Sequence, residues 1–150
     1  MIRDDIKAAT IAAMKGGDKE TTATLRLVSA GIKNRDIEAR TGGAPKDDDA
    51  LVTEVLQKMV KQRRESADIY RKNGREDRAA AEEAEIEVIE RFLPAQLSDA
   101  EAETKIREIV AETGASSMKD MGRVMALVKE RLGGSIEPAR ASALVKAALS

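Results

Sequence analysis

Apolar residues recur at steps of three and four along almost the whole chain, and turn residues divide that pattern into seven stretches. This is the repeat of an amphipathic helix, whose apolar stripe faces a core. Ile2, Ile6, Ala9 and Ala13 mark the first helix, stopped at Gly16-Gly17. Asp18 is placed to cap a second, from Lys19 to about Arg40, with Leu25, Val28 and Ile32 inward and Gly31 allowing a neighbour to approach closely. Asp47, Asp48 and Asp49 put carboxylates where a third helix begins, and Val52, Leu56 and Met59 form its stripe, widened by Leu51, Val55 and Val60. Asn73-Gly74 suits a left-handed C-terminal cap. A fourth helix runs from Arg75 to about Arg91, with Ala81, Ala84, Ile86, Val88, Ile89 and Phe92 as its apolar side, and Pro94 closes it.

Past Pro94 the pattern predicts a smaller unit. Ser98-Asp99-Ala100-Glu101 is a capping box, with Leu97 and Ala102 placed as a weak hydrophobic staple. The helix it opens runs to Thr113, burying Ala102, Ile106, Ile109 and Val110, and stops at Gly114. Met118, Met121, Met125, Val128 and Leu132 predict one core seam on a helix from about Ser117 to Leu132, with Gly122 as a close-contact position. Gly133-Gly134 breaks the chain, Pro138 suits a first helical turn, and Ala141, Leu144, Val145, Ala148 and Leu149 form the last stripe. The expected organisation is all-α: an N-terminal helical domain over 1–94 containing a long helical hairpin, then a three-helix tail bundle over 95–150.

Charge changes this picture along the hairpin. Between Glu54 and Arg75 seven basic residues stand against three acidic ones, whereas from Glu76 to Arg91 two basic residues stand against seven acidic. A short Asn-Gly connection makes the helices antiparallel, which sets Arg64 across from the region of Glu83 and Lys61 across from that of Glu87. Two readings follow: the charges match one another across the hairpin, or the cluster from Lys61 to Arg64 is a cationic patch for an anionic partner. On the second helix Arg26, Ser29, Lys33, Asp36 and Arg40 form a polar stripe bordering the core. It predicts an inter-helix hydrogen-bond and ion-pair seam, with a binding surface on Arg26 and Lys33 as the other reading.

Composition then narrows the chemistry. The chain has 150 residues, 42% hydrophobic and 35% charged, with Tyr70 and Phe92 as its aromatic residues, which disfavours sheet. It has neither Cys nor His, which removes thiol nucleophiles, imidazole bases and the usual nitrogen and sulfur zinc sites. No glycine-framed Ser or Thr nucleophile and no phosphate-binding Walker loop is present, and Thr41-Gly42-Gly43-Ala44-Pro45 reads as a linker. No catalytic residue, metal or cofactor is expected. A net charge of −1 argues against a general nucleic-acid binder. Arg3, Asp4 and Asp5 precede a short Ile/Ala run that lacks the design of a signal peptide, and no stretch reaches the length of a membrane span, so a cytoplasmic location is expected.

The order of these motifs resembles the GatB/YqeY family, in its free-standing YqeY-like form. The resemblance is carried by Leu25-Arg26, Ser29-Ala30 and Ile32-Lys33; by Lys61-Gln62-Arg63-Arg64-Glu65-Ser66 and Gly74-Arg75; by Glu82 to Ile86 and Phe92-Leu93-Pro94; and by Asp120-Met121-Gly122-Arg123-Val124-Met125 with Leu144-Val145-Lys146. It covers nearly the whole chain. Related tail domains end the B and E subunits of tRNA-dependent amidotransferases, where the tail helps hold the tRNA body. The resemblance therefore implies an association with glutamine-dependent carbon–nitrogen ligases and, as partner, tRNA or a protein that handles aminoacyl-tRNA. It implies no independent ligase, because the cradle and amidase that perform the chemistry are not in these residues. Lys119, Arg123 and Arg140 in the tail become the candidate RNA or partner contacts, with Arg63, Arg64, Arg26 and Lys33 as further candidates. The loop before the last helix, Gly134-Ser135-Ile136-Glu137-Pro138, lacks the basic residue the family often carries there. The competing expectation is a protein–protein adaptor without nucleic-acid affinity, consistent with a tail of eight acidic and eight basic residues.

Overall fold

The computed structural model describes residues 1–45 and 47–150. Among them are seven α-helices and no strand: α1 (Ile2–Lys15), α2 (Lys19–Ala39), α3 (Asp48–Lys72), α4 (Glu76–Glu90), α5 (Asp99–Thr113), α6 (Met121–Leu132) and α7 (Pro138–Leu149). Two compact units divide the chain, Met1–Leu93 and Pro94–Ser150.

In the first unit Leu25, Val28, Val52, Leu56 and Ile89 are sealed from solvent and share one core with Ile6, Ile32, Val60 and Ile86. The stripes on α1, α2 and α3 therefore lie inward as their spacing predicts. On α4 the apolar side is narrower than expected: Ala81 and Ala84 are exposed, and Ala79 is buried in their place. Gly31 permits the close approach of α3, since a Cβ there would stand 3.3 Å from both Met59 Sδ and Val55 Cγ1. Asp18 caps α2 by accepting from the Thr21 amide, and Gly74, at φ +72°, takes the left-handed conformation that ends α3.

The aspartates before and within the first turn of α3 do not cap that helix. Asp47 makes no side-chain cap, while Asp49 accepts from the Ile2 amide at 2.9 Å and Asp48 accepts from Arg3. Their carboxylates thus serve the N-terminus of α1, where an amide would otherwise lack a partner.

The second unit packs Ala102, Ile106 and Ile109 of α5, Val124, Val128 and Leu132 of α6 and Ala141, Val145 and Leu149 of α7 into one core, with Ile136 beside them. The capping box at Ser98 and Glu101 forms, and the Ser98 bonds hold the Glu101 carboxyl below its ordinary range. Two expectations are corrected. Met118–Asp120 is a 3-10 turn ahead of α6, so Met118 falls off the seam and is exposed, and the buried stripe is Val124, Val128 and Leu132, flanked by half-buried Met121 and Met125. Gly122 faces open space and makes no close contact.

Candidate functional site

The hairpin arginines point at α4. Arg63 donates from Nε to Glu85 at 2.7 Å and from Nη1 to the Met59 carbonyl at 3.3 Å, and its side chain keeps only 13% of its exposure. Arg64 donates to Glu90 at 2.8 Å. Arg71 bridges Glu76 and Glu83, and these hydrogen bonds raise its pKa and lower that of Glu76. Arg64 thus meets Glu90, and Glu83, expected near Arg64, pairs with Arg71; Lys61 forms no ion pair with Glu87 among the described residues. Helical side chains lean toward their own N-terminus, so an arginine on α3 reaches toward the far end of antiparallel α4, while a glutamate on α4 leans back to meet it. Arg64 thereby reaches past Glu83 to Glu90, whereas Arg63 meets Glu85 and Arg71 meets Glu76, each directly across from it.

Along α2 the expected seam forms only at Asp36. Arg3 of α1 donates from both terminal nitrogens to Asp36, at 2.8 and 2.9 Å, and from Nε and Nη2 to Asp48, at 3.2 and 2.8 Å. The paired Arg3 guanidinium holds the Asp36 carboxyl below its ordinary range. Arg3, which the stripe on α2 could not reveal, is thus the hub joining α1, α2 and α3. Arg26 donates to the Met14 sulfur, at 4.0 Å, and Lys33 is exposed on the rim of a cavity of about 150 Å³ between α1 and α2.

In the second unit the three candidate cations differ. Arg140 donates to the Leu97 carbonyl at 3.2 Å and pairs with Asp99, which fastens α7 to the start of α5. Arg123 keeps a long contact to Asp120, at 3.4 Å, with 58% of its side chain exposed. Lys119 is exposed and makes no ion pair among the described residues. The loop lacking the family's base is a structural tie: the Gly134 carbonyl accepts from Gln96 at 2.7 Å and the Ser135 carbonyl from the Leu97 amide at 2.9 Å.

No buried side-chain nitrogen or oxygen among the described residues lacks a hydrogen-bond partner, and no group of three or more acidic side chains stands placed to hold a metal. The fold and these surfaces define the class: an all-helical protein of two compact units, whose candidate sites are exposed cations rather than a catalytic cluster. The chain belongs to the YqeY-like protein family, whose model matches residues 3–149.

Among curated proteins it is similar to altered inheritance of mitochondria protein 41, mitochondrial, of Lachancea thermotolerans, 35% identical over 74% of this chain and 57% of that protein. The protein of the same name from Eremothecium gossypii is 39% identical over 63% of this chain and 48% of its own length. The matched part spans about half of the length of these relatives. The expected cytoplasmic location is corrected by them, because they are named as mitochondrial proteins. Residues 2–15, read above for the absence of a signal-peptide design, form a helix packed through Ile6 into the core.

Proposed function

We propose that the chain is an accessory module of tRNA-dependent amide transfer, a helical hairpin domain followed by a three-helix tail that contacts tRNA phosphates or a tRNA-handling partner and performs no chemistry alone. The observation that carries this reading is the contrast among its cations. Arg63, Arg64 and Arg140 are engaged within the fold, while Lys119, in the turn before α6, is exposed, and Arg123, in the first turn of α6, is mostly exposed with one long contact to Asp120. With few aromatic side chains there is no stacking platform for bases, so recognition goes to phosphates and shape.

Two phosphate contacts, from Lys119 and Arg123, imply a slope of about −1.4 to −1.8 in log K against log salt. Titrating labelled tRNA at two salt concentrations, with the wild type and Arg123→Glu, tests this. A slope near zero, or binding indifferent to the variant, removes the tRNA reading. The protein-adaptor reading is favoured by Ile11 and Met14, which leave half their surface exposed on α1 (53% each). Pure protein supplied with glutamine, ATP and mischarged tRNA is expected to show no amidotransferase turnover.

A further inference from the structure

We propose that the cavity between α1 and α2 is a phosphate-binding seat, in which Lys7 and Lys33 supply the charge and Ser29 a hydroxyl donor. Its floor is apolar, formed by Ile6 and Ile32, which are 2% and 4% exposed. Its rim is cationic and comes from two helices: Lys7 follows Arg3 by one turn of α1, and Lys33 follows Ser29 by one turn of α2. Neither lysine makes an ion pair or hydrogen bond among the described residues. A stripe bordering the core is normally consumed by inter-helix pairing, yet here the ion pairing among the described residues engages Asp36 and leaves Lys33 without a partner.

The one acid in the lining does not compete for a ligand's place. Both Asp36 oxygens accept from Arg3, at 2.8 and 2.9 Å. A guanidinium fork could hold either a carboxylate or a phosphate, but that of Arg3 is already taken by Asp36 and Asp48. What remains free are two ammonium groups and a hydroxyl, which bind as point donors and suit a tetrahedral anion with several oxygens. The volume of about 150 Å³ admits a phosphate group. This seat lies in the first unit and the tail cations belong to the second, so it does not rest on the tRNA reading above.

The test titrates the isotope-labelled full chain with inorganic phosphate at fixed ionic strength, following backbone amide shifts. Saturable shifts are expected at Lys7, Ser29 and Lys33, weakened roughly tenfold in Lys7→Gln/Lys33→Gln, where two charge-assisted contacts are lost. Lys146→Gln, in the second unit, is expected to leave the titration unchanged. Unaltered resonances of Leu56 and Ile89, in the same core and far in sequence from both substitutions, report that the double variant keeps its fold, and Lys33→Gln alone, expected to weaken binding by a smaller factor, serves if it does not.

Competition assigns the source of the phosphate. Displacement by tRNA, with tRNA affinity also reduced in the double variant, identifies a nucleic-acid backbone. Displacement by a nucleoside monophosphate but not by tRNA identifies a small phosphorylated ligand. Absence of saturable shifts with phosphate, or shifts identical in wild type and the lysine variants, overturns the proposal. A flat tRNA salt slope with phosphate binding intact overturns the tail reading alone.

Discussion

Replacing Arg3 by Ala removes the side chain whose ion pairs tie α1 to both α2 and α3. Its guanidinium makes forked contacts to Asp36 and Asp48, and the three side chains keep about a third of their exposure, at 31%, 38% and 32%. Forked geometry puts each pair near the top of the range of ~0.2 to 1 kcal/mol for solvent-accessible ion pairs, and partial exposure keeps it from exceeding that range. The combined loss is therefore about 1.5 kcal/mol, felt by the first unit. For a domain of this size that lowers the melting midpoint by about 6 to 12 °C. Arg3→Lys is expected to restore less than half, because an ammonium cannot fork to two carboxylates.

The pH dependence follows from Asp36, whose pKa is lowered mainly by its hydrogen bond to Arg3. A carboxyl with a depressed folded pKa contributes stability above its unfolded value, about 3.9, and loses it as pH falls through the lower folded value. The gap between wild type and Arg3→Ala is thus constant from pH 7 to 5 and closes in more acidic solution. Thermal melting by circular dichroism across this range, with amide exchange at Ile6 to assign the transition to the first unit, measures both effects. A midpoint shift below about 2 °C, or a gap that persists unchanged at the lowest pH where the protein folds, would refute the reasoning.

Arg63→Glu should lower the stability of the first unit by about 2 kcal/mol, because it places a second carboxylate beside Glu85 at a nearly buried position, whereas Arg64→Glu, at a half-exposed one, should cost less than about 1 kcal/mol. Urea midpoints of the two variants decide it, and equal losses would mean that exposure does not govern these pairs. Gly31→Leu should destabilise the same unit by about 1 to 3 kcal/mol, since even a Cβ meets Val55 and Met59 at 3.3 Å. An unchanged urea midpoint would show that α2 and α3 can separate without cost.

The all-helical class, the helix limits and most of the core were legible in the sequence because they are local. Three- and four-residue steps place Leu25, Val28 and Ile32 on one stripe, and Asp18, Ser98 and Gly74 act within a turn of their own position. Where neighbours share the work, local reading was insufficient. Asp48 and Asp49 sit where a helix wants capping acids, yet α1 offered them an amide and an arginine more than 40 residues away in sequence. Met118 keeps the spacing of a core residue, but the turn before α6 carries it outside. Arg64 could be placed on the correct helix face, while its partner depended on how two antiparallel helices lean their side chains. The cations left without a partner were equally invisible. Lys33 was read on a stripe expected to pair between helices and Arg140 as a surface base, yet the packing of α7 against the start of α5 engages Arg140, while the packing of α1 against α2 leaves Lys33 beside an open cavity. Sequence determines which side chains a helix presents to a neighbour; which neighbour arrives, and with what charge, is decided by tertiary contacts between residues far apart in the chain.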